Sequence, residues 1–599
     1  MDWRDRFRAP QFFDAKLAGE RPARGLVVGS QDGVSDQLFA WDVPGRQLAA
    51  LTDAKLGVIQ GWIDPTGTYV YYLRDEDGSE LGHLVRVPFE GGGPAQDITP
   101  KLAPYTLRGV GFGGSRMAFN PVNSEGFALY VLDVQPELGE PRLLFRDSWE
   151  AWGALLSADA DLAACWSTAR ARGLRRYTLL VFDTATGDQV AELDDGREAK
   201  VVGIRFSPVP GDGRVLASTN RTGFVRPVVW DPRTGERHDP DLPDLSGDVV
   251  PVDWSPDGER ILLCQLAGPQ QLHTYDLAEH TVTKLDHPNG SYVIEIFGGV
   301  EYDASGDIVG VRNVAETPSE VVRLDGRTGR QRAVLLEPGA APRGRPWRSV
   351  WVRSGDTPVH SWLSTPDGPG PFPTIVDAHG GPHFAAYEGY DPMAQAWLDH
   401  GYAWMSVNFR GSTGFGRAFA EQIWGDLGRW ELADLAAARE WLVAEGIAIP
   451  EQVFLTGGSY GGYLTLLGLG RQPRLWAGGM ALAADADMAV CYEDASDALK
   501  SAVAGWMKGT PQERPEAYRI SSPITYAADV SAPVLAIQAR NDTRVPPRQM
   551  ENYERRMREL GKDIEVVWLE GGHTSFGPEV FLRSTELMLA FAERVRNKT

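Results

Sequence analysis

Cysteine is nearly absent from this chain: three thiols, Cys165, Cys264 and Cys491, among 599 residues. They lie far apart and at no metal-ligand spacing, which excludes a disulfide framework and a cysteine-based metal motif. Each is expected to be a small buried apolar residue. Long apolar runs are missing too. No stretch approaches the ~18 residues that a membrane-spanning helix needs. The opening "MDWRDRFRAPQFFDAKLAGE" is charged and has no apolar core of signal-peptide length. The expectation is a cytoplasmic protein that does not span a membrane. Positive charge is also short, with 59 Lys and Arg against 81 Asp and Glu and a net charge of −22. This argues against a nucleic-acid partner, because phosphate neutralisation needs a basic surface. It equally disfavours an anionic membrane surface.

What is present divides the chain into two rhythms, and 599 residues are too many for one core. From about 25 to 338 a phrase recurs: "WIDPTGTYVYYL", "RFSPVPGDGRVLAS", "DWSPDGERILLC" and "EYDASGDIVGV", with a weaker copy in "LLSADADLAACWS". A second phrase carries Asp42, Asp133, Asp183, Asp231, Asp276 or Asp325. Neighbouring aspartates are 45 to 50 residues apart, and the first gap, 91, is two periods. Short β-type runs and tight turns at such a period are the mark of β-propeller blades. Seven units are expected, beginning near 25, 57, 109, 153, 201, 249 and 296.

After about residue 339 strand-like runs alternate with helical patterns. Strands are expected at "FPTIVDAHG", "YAWMSVNF", "QVFLTGG", "LWAGGMAL", "APVLAIQAR" and "DIEVVWLEGG". Helices are expected at "ELADLAAAREWLVAEG", "GGYLTLLGLG", "PRQMENYERRMRELG" and "LRSTELMLAFAERVRN". This alternation implies a doubly wound, mostly parallel sheet, the α/β-hydrolase type of architecture. The expected division is therefore 1–24, 25–338 and 339–599.

Within the second half, "FLTGGSYGGYLT" places Ser459 between Gly457 and Gly461, the G-x-S-x-G spacing, between a strand and a helix. That context makes a nucleophile elbow, with the hydroxyl exposed on a strained turn. A serine hydroxyl needs a base, and the base needs a carboxylate to orient it. His573, in "WLEGGHTSFG", is the one histidine after Ser459. Asp542 follows the strand before it, whereas Asp529, Asp563 and Glu565 are more poorly placed. An oxyanion needs amide donors. Tyr460, directly after the serine, and Gly381 in "VDAHGGPHF" are the candidates, with Gly380 as second choice. His379 and His383 lack a third ligand at suitable spacing, so neither a metal nor a cofactor is expected.

These pieces resemble the serine peptidases of the prolyl oligopeptidase family, and within it the acylaminoacyl-peptidase branch. The resemblance rests on "HGGP" at 379–382, "NFRGSTGFG" at 408–416, "WGDLGRWELADL" at 424–435, "GGSYGGYLT" at 457–465, "SPITYA" at 522–527, "ARNDTRVP" at 539–546 and "EGGHTSFG" at 570–577. It implies Ser459, Asp542 and His573 as a triad, with Tyr460 and Gly381 at the oxyanion. It also implies a propeller that caps the hydrolase site and admits short peptides, and a first segment of about 24 residues packed on the hydrolase domain. Whether the propeller alone or packing into a homo-oligomer encloses the site is left open.

The expected activity is exopeptidase action of acylaminoacyl type. Dipeptidyl peptidases of the family carry paired glutamates in the propeller, and here "DSWEAWG" offers Glu150 alone. Three alternatives remain. "STARARGLRRYT" holds Arg170, Arg172, Arg175 and Arg176, which would grip a peptide's C-terminal carboxylate if they faced the cavity, giving a carboxypeptidase-like enzyme. Arg544 is another candidate substrate contact. The same triad would also serve a carboxylesterase, and a propeller without catalysis would serve as a scaffold. Segment 485–508, with Met488, Val490, Tyr492 and Trp506, is expected to line an apolar specificity pocket.

Overall fold

The computed structural model describes every residue except 1, 32, 34, 173, 294–298, 576 and 599. Residues 11–336 build seven antiparallel sheets, each of four consecutive strands, a seven-bladed β-propeller. The first strands begin at Gln11, Trp62, Thr106, Ala151, Val201, Val249 and Val300. The blade start expected near 296 lies outside the described residues.

The start expected at 25 differs most from the structure. Strand Gln11–Ala18 pairs with Arg21–Ser30, so a boundary at 24/25 cuts into the first hairpin. Its turn is only Gly19–Glu20 and lacks the Pro-Asp-Gly phrase that marks the corresponding turns of other blades. The part that packs on the hydrolase is the shorter segment before it. There Phe7, in helix Asp5–Arg8, meets Ala396 and Leu582, and Arg6 pairs with Asp399 at 2.7 Å.

The repeated aspartates end or directly follow the third strand in six of the seven blades, and several organise the turn to the fourth. Asp183 Oδ1 accepts from the amides of Ala185 and Thr186, both at 2.8 Å. Asp276 and Asp325 do the same two and three residues on, at 2.8–3.0 Å. In the second blade that strand ends at Pro88, which explains the doubled first period. Because every blade is contiguous in sequence, the ring closes through side chains alone. Phe12, Phe39 and Trp41 of the first blade pack on Val309, Val321 and Leu335 of the seventh.

The hydrolase sheet has eight strands, numbered β1–β8 in chain order: Arg348–Ser354, Thr357–Ser364, Phe372–Ala378, Ala403–Val407, Ala448–Gly458, Gly478–Leu482, Val534–Ala539 and Ile564–Leu569. Their spatial order is β1-β2-β4-β3-β5-β6-β7-β8. The β1–β2 and β2–β4 pairs are antiparallel and all others parallel. Strands β1 and β2 were not among the expected six. They form an edge hairpin turning at Gly355 (φ 61°), which carries no strand–helix alternation to reveal it. Helices cover both faces. Leu432, Leu464 and Met550 belong to the core on one side, Trp397, Met588 and Phe591 to the core on the other. The three cysteines are buried and unpaired.

Candidate active site

Ser459 follows the C-terminal end of β5 at φ 55°, ψ −120° and opens helix Tyr460–Arg471. A non-glycine residue rarely occupies this region, and the strain is stored in the turn. Its neighbours must be small. A Cβ on Gly457 or Gly461 would overlap the Ala378 carbonyl oxygen, and one on Gly462 would crowd that of Leu482. The Ser459 amide donates to Leu482 O at 2.8 Å, which ties the elbow to β6.

The loops after β7 and β8 bring two further groups to this point. His573 Nε2 lies 3.1 Å from Ser459 Oγ, and His573 Nδ1 lies 2.7 Å from Asp542 Oδ2. The other oxygen of Asp542 accepts from the amides of Arg544 and Val545 at 2.9 and 2.8 Å. The carboxylate is thereby fully buried and fixed. It imposes the tautomer with the proton on Nδ1, leaving Nε2 to accept from the serine hydroxyl. A relay of this geometry can remove the hydroxyl proton as the oxygen attacks a carbonyl.

Tyr460 and Gly381 line the same cavity as Ser459. His379 orients the second of these. Its Nδ1 meets Gly380 O at 2.7 Å, its Nε2 meets Ser412 Oγ at 2.7 Å, and its ring stacks on Phe409 at 4.3 Å. Burial pushes this imidazole down to about 4, so it stays neutral and donates from Nδ1. The carbonyl of residue 380 and the amide of 381 belong to one peptide plane, so fixing the first fixes the second. His383 has both ring nitrogens engaged as well, with Gly411 O and Trp424 Nε1 at 2.9 Å each.

The cavity holds about 210 Å³ between the two domains. The hydrolase lines it with Met488, Val503 and Trp506, the propeller with Glu80, Arg108, Trp152 and Arg175. Of the candidate pocket residues, Met488 and Trp506 face it, while Tyr492 lines a neighbouring cavity and Val490 lines neither. Among the four clustered arginines only Arg175 lines it, and that side chain is spent on Glu150 at 2.9 Å and on Tyr177 Oη. Arg170 pairs with Glu192 at the surface, Arg172 lies over Trp149, and Arg176 grips Glu421 and stacks on Trp424 across the domain boundary. The condition that these arginines face the cavity is therefore met by Arg175 alone: after strand Leu162–Ser167 the chain leaves the blade, and the side chains diverge.

Three site residues have no signature in the sequence. Glu80, at φ 58° in a second-blade loop, takes both arms of Arg544. Asp485 lines the cavity with one oxygen unpartnered, and burial pushes it up to about 6. Arg108 lies over the Trp152 ring at 4.3 Å, and its Nε has no hydrogen-bond partner. Among the described residues it forms no ion pair, and burial with the Arg544 charge nearby pushes it down to about 10.

With this geometry in place, residues 389–599 match the profile of the prolyl oligopeptidase family. Over those residues the chain is similar to that family. It is a serine-type peptidase. It is 25% identical to dipeptidyl aminopeptidase BIII of Pseudoxanthomonas mexicana over 92% of this chain and 82% of that protein. It is 29% identical to acylamino-acid-releasing enzyme 1 of Oryza sativa subsp. japonica over 33% of this chain and 26% of the relative. A puromycin-hydrolysing peptidase of Mycobacterium tuberculosis superimposes with a TM-score of 0.82 at 20% identity, covering 99% of this chain and 96% of the other. Among the described residues no helix is long and apolar enough to cross a membrane.

Proposed function

We propose that the protein is an exopeptidase of acylaminoacyl type that acts on short peptides. Ser459 Oγ attacks the scissile carbonyl carbon while His573 Nε2 takes the hydroxyl proton. The oxyanion is held by the amides of Tyr460 and Gly381. The C–N bond then breaks, and the departing amine leaves with the proton from His573. Water, deprotonated by the same imidazole, attacks the acyl-enzyme and returns Ser459 to its starting state. Asp542 stabilises the imidazolium in both halves. The mechanism uses neither metal nor cofactor. The enclosed cavity excludes folded proteins. The three buried thiols agree with a cytoplasmic location, and assembly into a homo-oligomer would enclose the site further.

One observation carries the exopeptidase type. The propeller carboxylate that lines the cavity, Glu80, is already occupied by Arg544, and Glu150, behind the cavity wall, is occupied by Arg175. Among the described residues no propeller carboxylate in the cavity wall is left to hold a free N-terminal amine, so a capped, neutral N-terminus fits better. Arg108 favours a second reading, carboxypeptidase-like cleavage, because a cation at the cavity wall that forms no ion pair among the described residues suits a peptide's C-terminal carboxylate.

The test is product analysis by mass spectrometry on one apolar octapeptide in three forms: free, N-acetylated and C-amidated, with Ser459→Ala as control. Release of the acetylated first residue from the blocked form alone supports the acylaminoacyl reading. Release of C-terminal residues, lost on amidation and in Arg108→Met, puts the second reading in its place. Cleavage of a p-nitrophenyl ester but of no peptide would leave an esterase.

A further inference from the structure

A second cavity, of about 420 Å³, lies where the N-terminal segment, the first and seventh blades and the hydrolase domain meet. That is within the roughly 300–1,000 Å³ of small-molecule sites. It shares no lining residue with the Ser459 cavity. Its walls include the rings of Trp347, Trp362, Tyr387 and Trp404. The indole N–H groups are all committed to the protein. Trp347 donates to Gly389 O at 2.9 Å, Trp362 to Ala386 O at 3.1 Å, and Trp404 to Ser406 Oγ at 2.9 Å. What the indoles have left to offer a ligand is π surface.

Three carboxyl groups face the same space: Asp36 from the propeller, Asp377 at the end of β3, and Asp391, which caps helix Pro392–Asp399 through Oδ1. Among the described residues no lysine, arginine or histidine lines the cavity. Arg6 reaches the Tyr390 hydroxyl at 3.1 Å but forks onto Asp399 and is not part of the wall. Asp377 is relieved only by the Ser406 hydroxyl at 2.9 Å, and Asp36 Oδ1 is buried with no partner at all. Burial without a neighbouring cation pushes Asp36 and Asp377 up to about 7. Buried acids beside aromatic faces are the complement of a positive charge on an apolar body. The described residues include no group of three His, Cys, Asp or Glu placed to hold a metal ion, so the charge must come from an extended ligand.

We propose that this cavity is a binding site for an organic ammonium ion, separate from the catalytic centre and clasped between propeller and hydrolase. The aromatic rings hold the apolar body and the flanking methylene or methyl groups, and Asp36 and Asp377 hold the charge. Asp377 stands two residues before His379, so an occupant sits at the base of the oxyanion loop.

The test uses the full chain with Ser459 blocked by a fluorophosphonate, so that binding at the catalytic centre does not contribute. Benzyltrimethylammonium is titrated by calorimetry and by tryptophan fluorescence, with neopentylbenzene as the neutral isostere. The expected result is saturable binding of the cation with quenched fluorescence. The isostere, Asp36→Asn and Asp377→Asn should each weaken binding about 10-fold or more, the equivalent of ~1.4 kcal/mol. Asp36→Asn, on the propeller side, keeps the test valid should Asp377→Asn fail to fold. Equal binding of the neutral isostere, an unchanged affinity in Asp36→Asn, or no binding overturns the proposal.

Discussion

Arg544 forks onto Glu80 across the domain boundary, Nε to one carboxylate oxygen at 2.6 Å and Nη2 to the other at 2.7 Å. Arg544 also donates its amide to Asp542, so a propeller carboxylate grips a residue that holds the proposed triad acid. The same second-blade loop accepts from Asn541 at Asp77 O and from Thr543 at Ser79 O, at 2.9 and 2.8 Å. Its Gly78 carbonyl sits against Gly572, next to His573. The propeller is therefore more than a cap: one of its loops forms the bed on which the acid and base loops lie.

Glu80→Gln tests that relationship. It keeps the shape but removes the charge that orders Arg544, and misplacement by about 1 Å is worth ~100-fold in rate. The expected outcome is a fall of about 10- to 100-fold in kcat/KM. Thermal stability should change little. Unchanged kinetics would mean that the two catalytic loops hold themselves.

Asp542→Asn tests the relay. The amide cannot accept from Nδ1–H with a full negative charge and favours the wrong tautomer, so kcat should fall about 10⁴-fold with the fold intact. Ser459→Ala should lose fluorophosphonate labelling altogether. A loss under tenfold in Asp542→Asn would mean that another acid, Asp485 first, orients His573.

The glycines of the elbow predict a graded response in melting experiments. Gly461→Ala drives a methyl into the Ala378 carbonyl and should cost about 3 kcal/mol or more. Gly458→Ala meets nothing within 4 Å and should stay within about 0.5 kcal/mol. Equal losses at the two positions would contradict the packing described here.

Glu431 sets a pH dependence of stability. It accepts from Tyr460 Oη and from the Gly428 amide, its Oε2 has no partner, and burial pushes it up to about 7 from 4.5. Between those values the folded chain keeps a proton that the unfolded chain loses, so stability falls as pH rises. The full swing is about 3 kcal/mol at 1.36 kcal/mol per pKa unit. Glu431→Gln cannot ionise and should remove that slope. Denaturant midpoints at pH 4.5 and pH 8 should show the variant gaining on the parent by about this amount. A constant difference at both pH values would show Glu431 to be ionised in the folded state.

Much of the fold was legible because its signals are local. A propeller blade repeats its turn chemistry, and Asp183, Asp276 and Asp325 each close their turn with their own side chain, so the period survives in the sequence. The elbow is legible for the same reason: Gly457, Ser459 and Gly461 meet their steric demand within five residues. The first blade escaped because its opening turn is two residues long and carries no such phrase. The edge hairpin β1–β2 escaped because an antiparallel pair has no helix between its strands.

The sequence by itself determined the succession of strands, turns and helices, the strained serine, and the order of serine, acid and base along the chain. Each depends on backbone sterics and hydrogen bonds that reach only a few residues. Tertiary structure alone decided which arginines meet the cavity, that Glu80 steadies Arg544, that Arg108 is left without a counter-ion, and that Asp36 and Asp377 share an aromatic chamber. Those outcomes depend on burial and on charges brought together from residues hundreds of positions apart. Desolvation, which sets their protonation and their need for partners, exists only once the domains have closed on one another.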